Sequence, residues 1–167
     1  KLGAFILEST NVFAFTAGFK TPKIYLSSSL IDLLSKYELL AVLEHERHHQ
    51  NTFDTKNSFF VKLLDEATID FPFKNTLFKN HSNLRELCAD VYAKDNIKDE
   101  RPLISALNKL IEFGTLKDLN ISTFDSKIER IPVLLGKSKL NIGVNYFALL
   151  VVINLFAIAG VLTMNIN

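Results

Sequence analysis

The five residues His45-Glu46-Arg47-His48-His49 constrain the fold of this chain more than any other feature. They contain H-E-x-x-H, in which two imidazoles stand four residues apart. On an α-helix positions i and i+4 share a face, so His45 and His49 can reach one metal ion, with Glu46 projecting beside them. A chain with four His and nine Glu among 167 residues contains this pattern by chance about 0.005 times. The helix has independent support. Ser35-Lys36-Tyr37-Glu38 is a capping box, and Leu39, Leu40 and Leu43 follow in the first turns. Two histidines do not complete a zinc site, which takes a third protein ligand and keeps an open position for water. The fold must therefore bring a second element, carrying His, Cys, Asp or Glu, against the first.

Glu86 follows His49 by 37 residues, on a segment that also reads as helix, Arg85-Glu86-Leu87-Cys88-Ala89-Asp90. Glu86 and Asp90 are spaced i, i+4 and share a face. One can ligate while the other hydrogen-bonds a ligand imidazole and fixes its tautomer. Zinc lowers the pKa of a water toward about 7, and Glu46 stands where a carboxylate can take the proton.

The surrounding pattern is α+β, a small N-terminal β-sheet followed by a mainly α-helical domain. Strands are predicted over 4–7, 11–16 and 23–26, rich in Phe and broken at Gly18 and Thr21-Pro22. Helices are predicted over 57–66, 82–94, 102–113 and 126–135. Pro102 suits a first helical turn, and Ser126 with Glu129 forms a second capping box. Residues 70–81 read as an irregular loop. Phe5, Phe13, Phe15 and Phe19 suit a sheet core. The strand over 11–17 is also a candidate edge, along which an extended substrate could pair by strand addition.

Several of these stretches resemble the gluzincin metallopeptidases with an integral membrane part, most closely the BlaR/MecR peptidases, with the HtpX and CAAX-processing proteases as relatives. Residues 11–18 are similar to the strand before the zinc helix, and Pro22-Lys23-Ile24-Tyr25-Leu26 with Ser29-Leu30 is similar to its lead-in. Residues 38–46 with His49 resemble the zinc helix, extended by Asp54. Arg85-Glu86 with Ala89-Asp90 resembles the third-ligand helix, and Glu129-Arg130-Ile131 a later R-I motif. The likeness covers roughly residues 11–135. It implies a zincin domain in which His45, His49 and Glu86 bind Zn2+, Glu46 is the general base, Asp90 supports a ligand histidine and Asp54 the end of the zinc helix. Arg130 is the candidate transition-state contact, or alternatively a surface ion pair. Asp125-Ser126 departs from the His-Pro of HtpX-like relatives, and Arg47-His48 from the small or apolar residues usual inside the motif. Three further residues are read structurally: His48 and His81 as solvent-facing, and Cys88 as a small core residue. The implied activity is a zinc metalloendopeptidase acting on a protein or peptide. The alternative is a signal-transducing regulator domain of BlaR type, with structural zinc or single-turnover cleavage.

No charged residue follows Lys139, and residues 146–164 are apolar except for Asn154. Nineteen residues at about 1.5 Å each span roughly 28 Å, close to the hydrocarbon core of a bilayer. A core helix of this character would need a larger domain around it. The expectation is a zinc domain over 1–139 and a transmembrane helix with a short tail over 140–167. Lys127, Arg130, Lys137 and Lys139 precede the span, which places the zinc domain in the cytoplasm, at the inner membrane. The single cysteine rules out an intrachain disulfide framework. A net charge of +1 argues against a nucleic-acid partner. Beginning at Lys1 rather than Met, the sequence reads as a piece of a longer chain.

Overall fold

The computed structural model describes residues 3–67, 74–116 and 130–136. Three strands, β1 (Ala4–Leu7), β2 (Ala14–Ala17) and β3 (Lys23–Ser27), form one sheet in the order β1-β3-β2. β3 is central, parallel to β1 and antiparallel to β2. It alternates as a half-covered strand should, with Ile24 and Leu26 buried beneath and Tyr25 above. Above the sheet Phe5, Tyr25 and Phe15 stack across all three strands, with centroids 5.6 and 5.3 Å apart. The expected strand over 11–16 begins only at Ala14. The Phe13 N–H donates to the Ser27 hydroxyl at 3.0 Å, so a side chain joins the ladder there. Gly18 turns the chain from β2 toward β3 at φ 124°, and an added Cβ would lie 2.7 Å from the Thr21 carbonyl oxygen.

Helices follow. The short α1 (Ser28–Leu33) is capped by the Ser27 hydroxyl, which accepts from the Leu30 N–H at 3.1 Å. The main helix α2 (Lys36–Asn51) begins with the predicted capping box, Ser35 and Glu38 bonding reciprocally. Leu30, Leu34, Val42 and Leu43 close a core under the sheet with Ile24 and Leu26. Ala41 belongs to a second core, with Ala93, Leu103, Leu107 and Leu134. α2 is thus wedged between the sheet and the later helices, and its second half is buried although it is polar.

Next come α3 (Asp54–Ala67), α4 (Lys74–Ile97) and α5 (Arg101–Leu116). α3 starts three residues earlier than expected, because Phe53 takes a left-handed φ of 53° and the chain re-enters a helix at once. The expected loop over 70–81 is corrected for its second part. Residues 74–81 are helical and extend α4, which runs from Lys74 to Ile97 with no Gly or Pro inside it to break the helix. Residues 70–73 lie outside the described residues, as do 126–129 of the last expected helix, of which 130–134 are helical. The apolar run 146–164 also lies outside them. Among the described residues no helix is long and apolar enough to cross a membrane.

Candidate metal centre

The second half of α2 brings His45 and His49 to one face, as the spacing dictates, and α4 crosses it with Glu86. The three ligand atoms lie within 4.8 Å of one another. The two Nε2 atoms face each other at 3.0 Å. Glu86 Oε2 is 3.5 Å from His45 Nε2, and Oε1 is 3.8 Å from His49 Nε2. Each imidazole is oriented from behind by a carboxylate. His45 Nδ1 donates to Asp90 Oδ1 at 2.8 Å, and His49 Nδ1 to Asp54 Oδ2 at 2.5 Å. With both Nδ1 atoms donating, both Nε2 lone pairs point into the same small space beside a carboxylate. Two lone pairs and an anion facing one another need a cation between them. This donor set, two imidazole nitrogens and one carboxylate, suits zinc with a position left open.

The electrostatics agree. Burial opposes protonation of His45, but Asp90 and Glu86 outweigh it and lift the imidazole to about 9, so that a proton on Nε2 competes with a metal ion for the same position. Burial pushes Glu86 up, and it is nevertheless held below the ordinary carboxylate range by His45, Arg130 and His49. Asp90 is fully buried and likewise held low, by its bonds to His45 and Arg130. The pocket is built to hold positive charge.

Two arginines brace it. Arg130 is buried at 6% exposure, which rules out the surface ion pair considered from sequence. Its Nε donates to Asp90 Oδ2 at 2.6 Å and its Nη1 to Glu86 Oε2 at 3.2 Å, while Nη2 also donates to Asp90. On the opposite side Arg85 pairs with Asp54 at 3.3 Å and with Glu86 Oε1 at 3.3 Å, and donates to Ser58. Each arginine thus grips Glu86 together with the carboxylate behind one histidine.

Glu46 is buried at the mouth. The Thr16 hydroxyl of β2 donates to its Oε2 at 2.9 Å and lies 3.0 Å from its backbone carbonyl. Sequence reasoning missed Thr16, Ser58 and the role of Arg85. Arg85 had a signal, standing next to a candidate ligand. Thr16 and Ser58 had none, because their partners are 30 and 27 residues away. β2 is an edge strand. Antiparallel pairing directs the amide groups of Ala14 and Thr16 away from β3. The Thr16 carbonyl there already accepts from the Thr55 hydroxyl at 3.1 Å. Ala14, Phe15 and Thr16 line a cavity of about 390 Å³ with Glu46, the histidines and Arg85.

The remaining candidates lie apart. His48 is half-buried rather than solvent-facing, its ring 5.3 Å from that of Tyr92, and it is not one of the clustered ligands. Arg47 is half-buried and pairs with Glu44. His81 is on α4 and exposed. Cys88 is exposed, not a core residue. It does face away from Glu86, but that opposite face of α4 is the outer one.

The family model of Peptidase family M48 matches residues 3–116. The chain belongs to this family. No curated protein and no solved structure matches it. M48 members are zinc metallopeptidases, and the match spans β1 through α5, with all three clustered ligands and Glu46 inside it.

Proposed function

We infer that the protein is a membrane-anchored zinc metalloendopeptidase that cleaves peptide bonds of a protein substrate. The observation that carries the reading is the convergence of two carboxylate-oriented imidazoles on one space, with Glu86 completing the set and Glu46 held beside it by Thr16. His45, His49 and Glu86 would hold the ion, which when bound polarises a carbonyl and acidifies water. Glu46 takes the proton from the attacking water at its carboxylate and passes it to the leaving amine. Thr16 fixes Oε2 of that carboxylate. The outward amide groups of Ala14 align an extended substrate along the edge of β2. Arg130, with Nε, Nη1 and Nη2 each engaged, acts as a brace for Glu86 and Asp90 rather than as a transition-state contact.

The setting rests on the sequence. The charge-free run 146–164 supports a transmembrane anchor over 140–167, and the basic residues before it support a cytoplasmic zinc domain over 1–139. The likeness to BlaR/MecR peptidases supports a regulatory substrate. The test is metal content of the detergent-purified chain beside Glu46→Gln, His49→Ala and Glu86→Ala. The expected result is about one zinc per chain in the parent and in Glu46→Gln, no peptidase turnover in Glu46→Gln, and zinc lost from the other two. Turnover retained by Glu46→Gln would sink the mechanism. A parent without zinc after chelator-free purification would sink the enzyme.

A further inference from the structure

The two hydrophobic cores do not close on each other. Val42, with Val12 and Leu110 packed beside it, belongs to the first, and Leu103 and Leu107 to the second. These five side chains and Phe13 line a cavity of about 240 Å³ that reaches the metal centre at His45, Glu46 and Glu86. Leu103, Leu107 and Leu110 recur at i, i+4 and i+7, so one stripe of α5 supplies the leucines. Protein interiors ordinarily pack without gaps of this size, and an apolar gap that opens on reacting groups is a receptor for what enters the cleft.

The cleft has a different chemistry on each side. Toward Thr16, Asp54, Thr55, Ser58 and Arg85 line the cavity of about 390 Å³. Toward Phe13 the lining is aliphatic and aromatic. Ala14, His45, Glu46 and Glu86 line both, so the two cavities meet at the metal centre. The polar groups of the apolar one already have partners. Arg130 spends Nε, Nη1 and Nη2 on Asp90 and Glu86, and Glu46 accepts from Thr16. A charged side chain entering it would lose its water among leucines and gain no new partner. The volume is below the roughly 300–1,000 Å³ of small-molecule sites and above the roughly 150 Å³ that admits a benzene ring. It suits one large apolar side chain. Antiparallel pairing is the stabler form of strand addition. β2 runs from Ala14 to Ala17, so an antiparallel substrate runs toward Ala14, and its residues beyond the cleaved bond lie on the Phe13 side. We propose that this cavity receives the side chain of the substrate residue that follows the scissile bond. The inference rests on the peptidase reading and adds a substrate class, chains with Leu, Met or Phe directly after the cut. Val42 and Leu110 set the size limit.

The experiment uses the full detergent-purified chain, loaded with zinc and carrying Glu46→Gln to stop turnover. The probes are succinyl hydroxamates whose side chain beside the zinc-binding group is isobutyl, benzyl, methyl or carboxymethyl, and calorimetry gives each Kd. Isobutyl and benzyl should bind about tenfold or more tighter than methyl, with carboxymethyl weakest. Adding Val42→Ala should shift the preference toward benzyl, and adding Leu110→Trp should shift it toward methyl. Opposite shifts separate a reshaped pocket from a damaged fold. Equal affinities across the series, or an order that neither variant moves, overturn the proposal. Peptide libraries digested by the parent then place the residue: an apolar preference directly after the bond is expected, and cleavage without one overturns the assignment while keeping the peptidase. A chain that binds the probes in the expected order yet cleaves no peptide would refute the peptidase and leave the apolar subsite standing.

Discussion

Thr16 shows how much a single side chain outside the motif contributes. Its hydroxyl is the described hydrogen-bond donor to the Glu46 carboxylate. A hydrogen bond to a charged group is worth about 1.5–3 kcal/mol, so Thr16→Val should cut kcat/KM about ten- to a hundredfold with zinc retained. Thr16→Ser should recover most of the loss. A fully active Thr16→Val would show that Glu46 needs no such anchor. Asp54 acts one bond further back, behind His49. Asp54→Asn should weaken zinc about 10–100-fold, as removal of the partner behind a ligand histidine does. Chelator competition measures this, and an unchanged affinity would mean that His49 is oriented by the helix alone.

At the scale of the element, α2 carries opposite demands at its two ends. Its C-terminal half buries charge for chemistry, and its N-terminal end buries charge for stability. Burial opposes ionisation of Glu38, but Lys109, Ser105 and Ser35 outweigh it and hold the carboxyl down to about 2, below the ordinary 4.5. The Lys109 ammonium is 2.8 Å away and the Ser105 hydroxyl 2.6 Å. Because the folded value is the lower one, this contribution is present above about pH 4.5 and is lost as pH falls toward 2. Glu38→Gln should therefore be less stable than the parent at pH 6, and the gap should close on acidification. Urea midpoints at pH 6 and pH 3 measure it. A gap that stays constant would mean that the pairing contributes nothing. Ser35→Ala removes the other half of the capping box and should cost about 1 kcal/mol at pH 6.

For the molecule as a whole, the site is also a joint. Asp54 reaches it from α3, the histidines from α2, Glu86 and Asp90 from α4, and Arg130 from the helical residues 130–134. A metal bound only by the folded state stabilises it by about 2.7 kcal/mol at a free concentration a hundredfold above Kd. Chelation should therefore lower the thermal midpoint of the parent and leave that of His49→Ala unmoved. Equal midpoints with and without zinc in the parent would mean that the elements hold together without the ion.

The sequence by itself determined what is local. The capping box, the i, i+4 spacing of His45 and His49 and that of Glu86 and Asp90 are fixed within one or two helical turns, so residue order was enough to read them. The strands at 4–7 and 23–26 were legible for the same reason, through their apolar runs and the glycine and proline between them. What only the tertiary structure decided depends on how helices are rolled against one another. Cys88 and Glu86, two residues apart, stand on opposite faces of α4, yet nothing in the sequence said which face meets α2. Arg130 reads as a surface cation until α4 supplies Asp90 behind it. Thr16 is one more threonine in a strand until the sheet lies on α2. α3 carries a hydrophobic pattern that ordinarily predicts a buried stripe, and the structure turns it outward because its polar face is claimed by His49 and Arg85. Periodicity fixes which residues share a face. The direction of that face is set by the partners that neighbouring elements bring.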